Sequence, residues 1–155
     1  QKDLPSKMKK HPKKVSPPFF RLAQESRDKS TLVSSAVKAG FPSPAEGDSE
    51  EELDLNRYLI KHPAATFFVR VEGDSMSHGN ILNGDLLIVD RALNPKNGSI
   101  VVALLSGEFT VKKLSFKKGK LFLEPENPSF PSLEVQEEME FSVWGVVTYV
   151  IHKTT

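Results

Sequence analysis

From Thr66 onward the apolar residues come in short runs cut by turn residues, without the three-to-four spacing of an amphipathic helix. "FFVRVEG" is followed by the polar stretch "DSMSHGNILNGD" and then by "LLIVD", whose unbroken apolar character suits a strand buried on both faces. "PKNGSIVVALLSGEFTVKKL" reads as two strands joined by a two-residue turn at Ser106-Gly107, with Asn97-Gly98 turning the chain beforehand. "KKGKLFLEPENPSF" adds a turn and a strand, and "FSVWGVVTYVIH" is a long apolar strand. Strands at this spacing, with no helices between them, predict a mainly β, compact and largely antiparallel domain over residues 66–155.

Ahead of it the pattern weakens. Residues 1–39 are rich in Pro, Ser and charge, with a faint amphipathic stretch at "FFRLAQESRDKSTLVSSAV", and read as an extended N-terminal arm. Residues 40–65 read as a linker with one short helix at "DLNRYLIKH". There Asp54 can cap the first turn, Leu53 can pack on Tyr58, and Pro63 marks the exit.

Composition narrows the classes of function. A chain of 155 residues with 38% hydrophobic content can bury a core. No apolar stretch is long enough for a membrane span, and the basic start lacks the apolar region of a signal peptide, so a cytoplasmic protein is expected. The absence of Cys excludes disulfides, thiolate catalysis and Cys-based zinc sites. No P-loop, dinucleotide fingerprint or metal motif occurs, so neither cofactor nor metal is expected. The chain begins at Gln1 rather than Met, which leaves room for sequence before it.

The net charge of +1 conceals an asymmetry. Residues 1–38 hold ten Lys and Arg against three Asp and Glu, a net of +7; from Gly40 onward eleven against seventeen gives −6. Lys2, Lys7, Lys9, Lys10, Lys13 and Lys14 make the basic start, and Glu46, Asp48, Glu50, Glu51, Glu52 and Asp54 an acidic run. Such blocks are ordinarily solvated and mobile; the alternatives are a weak nucleic-acid contact through the lysines, or pairing between the two blocks within one molecule or between two.

Two stretches carry candidate chemistry. "EGDSMSHGNILNGD" can present a hydroxyl, Ser75, beside several free backbone N–H groups, as covalent catalysis with an oxyanion site demands; it is equally ordinary turn vocabulary. His78 is one candidate base, whereas His11, His62 and His152 read as surface residues. The other is in "EFTVKKLSF", where alternation must point either Lys112 or Lys113 inward, and a buried lysine can lose its proton near neutral pH. Periodicity does not say which lysine, nor whether it meets Ser75. "KAGFPSP", residues 38–44, has backbone biased to extended conformations and a Gly that leaves a partner room, which suits either a linker or a protease substrate.

From Gly40 to His152, "GFPSPAEGDSEEELDLNRYLIKHPAATFFVRVEGDSM", "ILNGDLLIVD", "GEFTVKKL" and "WGVVTYVI" together resemble the UmuD proteins, relatives of the LexA repressor among the Ser-Lys autoproteases. The resemblance implies the C-terminal β fold of that family and self-cleavage stimulated by the RecA filament on single-stranded DNA. It implies Ser75 as nucleophile, Lys112 as base, and a cut between Ala39 and Gly40, where relatives carry Cys-Gly or Ala-Gly. It further implies a homodimer whose processed form serves a UmuC-type translesion polymerase in the SOS response. The backbone N–H groups of Asp74 and Ser75 are the expected oxyanion donors. The first 38 residues do not match the short arms of UmuD proteins. A LexA-like or phage-type repressor would need a helix-turn-helix domain before the cut, for which 38 residues broken by Pro5, Pro12, Pro17 and Pro18 are too few; more sequence upstream would restore that reading. A non-enzymatic β-rich binding module is the remaining alternative.

Overall fold

In the computed structural model, the described residues are Phe20–Arg21, Ser30–Val33 and 50–155, and they fall in two units. The larger contains β1 (Phe20–Arg21) and everything from His62 to Thr155: β4 (Thr66–Arg70), β5 (Leu86–Asp90), β6 (Ile100–Leu105), β7 (Glu108–Lys117), β8 (Lys120–Glu124), β9 (Leu133–Glu134) and β10 (Phe141–Ile151). These strands form one sheet in the order β1-β4-β5-β10-β6-β7-β8-β9, and every pairing in it is antiparallel.

The apolar runs become strands because both of their faces are covered. In β5, Leu87, Ile88 and Val89 are at most 1% exposed. In β6, Val102 joins a cluster with Phe67, Val69, Met76, Ile81, Leu87, Val89 and Trp144. Its neighbours Val101 and Ala103 join another with Leu114, Leu121, Leu123, Val135 and Val143. Alternation along one strand therefore feeds two cores. The β6–β7 connection turns at Ser106-Gly107 as expected, with φ of 48° and 86° and Leu105 opposite Glu108. Two successive positive φ values are those of the tight hairpin turn that matches strand twist.

The smaller unit holds β2 (Ser30–Val33), β3 (Glu50–Leu53) and α1 (Leu55–Leu59). The Asp54 side chain accepts the Arg57 N–H at 3.1 Å, so the expected cap is present. The helix stops at Leu59, and Pro63 opens a separate 3₁₀ turn, Pro63–Ala65, in the larger unit. Tyr58 is exposed.

Two features go beyond the sequence reading. The arm and linker contribute strands: Phe20–Arg21 pairs with β4, and Ser30–Val33 pairs with Glu50–Leu53, part of the acidic run read as solvated and mobile. A ladder is made by the backbone, so residues with low β propensity enter it when a partner strand is supplied. His62 and His152 lie at the surface, as expected, and each also has a partner. Each ring, half-exposed, sits 2.6 Å from a buried carboxylate, Asp90 and Asp85 respectively, at the two ends of β5. Buried carboxylates need such partners. Burial alone would push the Asp85 carboxyl up, but the Leu82 N–H and His152 hold it below the ordinary value. His11 lies outside the described residues.

Candidate active site

Residues 72–85 leave β4 and return to β5 as a loop pinned at its base and from below. The Val71 N–H donates to Asp85 O at 2.9 Å and the Gly84 N–H to Val71 O at 2.8 Å, while Gly73, at φ 91°, donates to Asn83 Oδ1 at 2.9 Å. Met76 and Ile81 are 2% and 1% exposed and anchor the loop in the core. That leaves Ser75, beside buried Met76, half-buried at the rim.

Lys112 comes from the middle of β7, opposite Val101. Its Nζ stands 2.9 Å from Ser75 Oγ, 3.0 Å from Thr110 Oγ1 and 3.1 Å from Val111 O. Thr110 and Lys112, two apart on a strand, share a side, which is why the hydroxyl reaches the amine. Burial pushes the Lys112 ammonium below its ordinary value, and no carboxylate among the described residues pairs with it. Lys113 does the opposite: it bonds to Glu126 at 2.7 Å, and that contact raises its pKa. The structure thus brings Lys112 to Ser75 and sends Lys113 elsewhere.

The other candidates separate cleanly. His78 is exposed, its backbone N–H donates to Glu126 O at 2.7 Å, and its ring makes no hydrogen bond to Ser75. The backbone N–H groups of Asp74 and Ser75 have no acceptor among the described residues. Ala39 and Gly40 lie outside the described residues. Among the described residues no cluster of His, Asp and Glu could hold a metal ion, and no helix is long and apolar enough to cross a membrane.

Sequence reasoning passed over three residues near the dyad. Thr110 bonds Lys112, and Glu126 and Asn127 bond the serine loop. Strand parity with Lys112 was a signal for Thr110. Nothing local marks Glu126 or Asn127, which follow β8 and meet the loop about fifty positions away in the chain.

The profile of the family described as Peptidase S24-like matches residues 31–148. Protein SamA of Salmonella typhimurium is 51% identical over 123 residues, covering 79% of this chain and 85% of that protein. Protein ImpA of Escherichia coli is 46% identical over 145 residues, 90% of this chain and 97% of the other. Protein MucA of Escherichia coli is 47% identical over 114 residues, 73% and 77% respectively.

Proposed function

Because this chain belongs to the Peptidase S24-like family and is a UmuD-like self-cleaving serine peptidase of SOS mutagenesis, we propose that Ser75 and Lys112 are its catalytic pair. The bond they cut joins Ala39 to Gly40. The observation that carries the assignment is the 2.9 Å contact between Ser75 Oγ and a lysine whose burial lowers its pKa. A neutral amine has two N–H donors and one lone pair. Val111 O and Thr110 Oγ1 can take the two donors, which leaves the lone pair for the Ser75 hydroxyl proton.

Ser75 Oγ attacks the Ala39 carbonyl carbon as its proton passes to Lys112 Nζ. The oxyanion is held by the Asp74 and Ser75 N–H groups. The C–N bond breaks as Lys112 returns the proton to the departing Gly40 amine, leaving an ester on Ser75. Water then attacks the ester carbonyl, giving one proton to Lys112; Ser75 leaves with that proton, and the new Ala39 carboxylic acid loses its own to solvent as a free carboxylate. Neither metal nor cofactor enters these steps.

We further infer, from its likeness to the UmuD proteins, that the protein acts in the cytoplasm as a homodimer, is stimulated to cut by the RecA filament on single-stranded DNA, and serves a UmuC-type translesion polymerase once processed. The lysine-rich arm adds a weak contact with nucleic acid. Incubation of the purified chain at alkaline pH should yield a fragment whose first residue is Gly40, and Ser75→Ala and Lys112→Ala should each remain uncut while folded. A new terminus elsewhere, or cleavage in Ser75→Ala, would overturn the assignment.

A further inference from the structure

Ser75 sits on a loop, whereas Lys112 sits on a strand held by a ladder, so the serine is the partner whose place needs separate support. That support comes from the segment after β8. Asn127 Nδ2 donates to Asp74 O at 2.9 Å and to Ser77 Oγ at 3.2 Å, one residue before Ser75 and two after it. Asn127 Oδ1 accepts the Ser129 N–H at 3.0 Å, which decides how the amide is turned. Reversed, it would set oxygen against the Asp74 oxygen and N–H against N–H. Beside it, Glu126 O takes the His78 N–H at 2.7 Å. Gly79 approaches so closely that a Cβ there would stand 2.7 Å from Glu126 Cβ and Cγ. The Glu126 carboxylate in turn holds Lys113, next to the base.

We propose that Asn127 is a positioning residue for the reaction, holding the serine loop by its two amide donors so that Ser75 Oγ stays within reach of Lys112. The role rests on the catalytic pair assigned above. Asn127 touches none of the reacting atoms: it acts on the carbonyl before Ser75 and the hydroxyl after it. Misplacing a nucleophile by about 1 Å costs up to about a hundredfold in rate. The Lys113–Glu126 pair, partly exposed, adds little to this hold.

The test is the rate of self-cleavage of the full chain against pH for Asn127→Asp and Asn127→Ala, with Ser75→Ala and wild type alongside. Asn127→Asp is isosteric and keeps an acceptor for the Ser129 N–H, but sets an oxygen against Asp74 O. The expected result is a plateau rate about tenfold or more below wild type in both variants. In Asn127→Ala the midpoint of the pH profile, which belongs to Lys112, should stay where it is, and the melting temperature should remain within a few degrees of wild type. A wild-type plateau rate in either variant would overturn the role. So would a loss that follows a lowered melting temperature and disappears on cooling, since that is destabilisation alone. If Ser75→Ala is uncut while Asn127→Asp cleaves normally, the positioning role falls by itself; if Ser75→Ala still cleaves, the catalytic pair falls and this role with it.

Discussion

Lys112 and Lys113 are neighbours in the chain and are pushed in opposite directions, the first downward by burial, the second upward by its bond to Glu126. The lone pair of the first becomes available at a lower pH than that of the second, so Lys113→Ala should retain most of the self-cleavage and Lys112→Ala should abolish it. Lys112→Arg should be inactive as well, because a guanidinium stays protonated. Equal loss in the Lys112→Ala and Lys113→Ala proteins, measured by fragment formation, would contradict the assignment. The pH dependence has a definite sign. Cleavage should accelerate as pH rises through the depressed Lys112 pKa and level off above it; a rate following a group near pH 6.5 would implicate a histidine instead. Linkage gives the matching stability effect. The folded state binds fewer protons than the unfolded one between the lowered pKa and the ordinary 10.5, so this residue's contribution to stability rises with pH across that window.

At the scale of elements, β10 is the strand on which the sheet turns. It pairs with β6 over its first half and with β5 over its second, and its register shifts between Val143 and Gly145 and again between Val147 and Tyr149. Such irregularities bend a strand and increase its twist, which lets one strand serve two neighbours. Gly145 lies under the crossing: a Cβ there would meet Val89 Cγ1 at 2.5 Å and Arg91 Cγ at 3.3 Å. Val89 is fully buried in β5 and cannot withdraw. Gly145→Ala should therefore cost about 1–3 kcal/mol, the usual range for overpacking. Denaturant unfolding of the Ser75→Ala background, which removes the complication of cleavage, measures it. A midpoint equal to the parent's would show that the strands separate here without strain.

For the whole molecule, the proposed cut after Ala39 would remove a segment whose net charge is +7 up to residue 38 and leave a remainder of −6, so processing there would reverse the sign of the protein. The uncut form should be drawn to polyanions in a way the product is not. About six clustered lysines on a single strand of DNA give a salt slope of at most about −4, at roughly 0.7 per neutralised phosphate. Binding of single-stranded DNA by the full Ser75→Ala chain and by the fragment beginning at Gly40, compared across a salt series, should show affinity and a salt slope only in the former. Indistinguishable curves would leave the arm as a solubilising tail.

The strands from Thr66 onward, the Ser106-Gly107 turn and the Asp54 cap were legible in the chain because each depends on nearest neighbours: alternation, turn conformation, a side chain reaching three residues on. Ser75 and the two lysines were legible as candidates for the same reason, since a hydroxyl in a Gly-rich loop and a lysine among apolar residues are local oddities. Which lysine faces the serine was not, because parity along β7 has no meaning until a sheet gives it an inside. The acidic β3, the Asp–His pairs at the ends of β5 and the grip of Asn127 were invisible for a related reason. Each joins residues between about twenty and seventy positions apart whose types are ordinary where they stand. Local backbone preference decided the strands from Thr66 onward; the acidic β3 and the distance between Ser75 and Lys112 were decided only when packing closed loops across the chain.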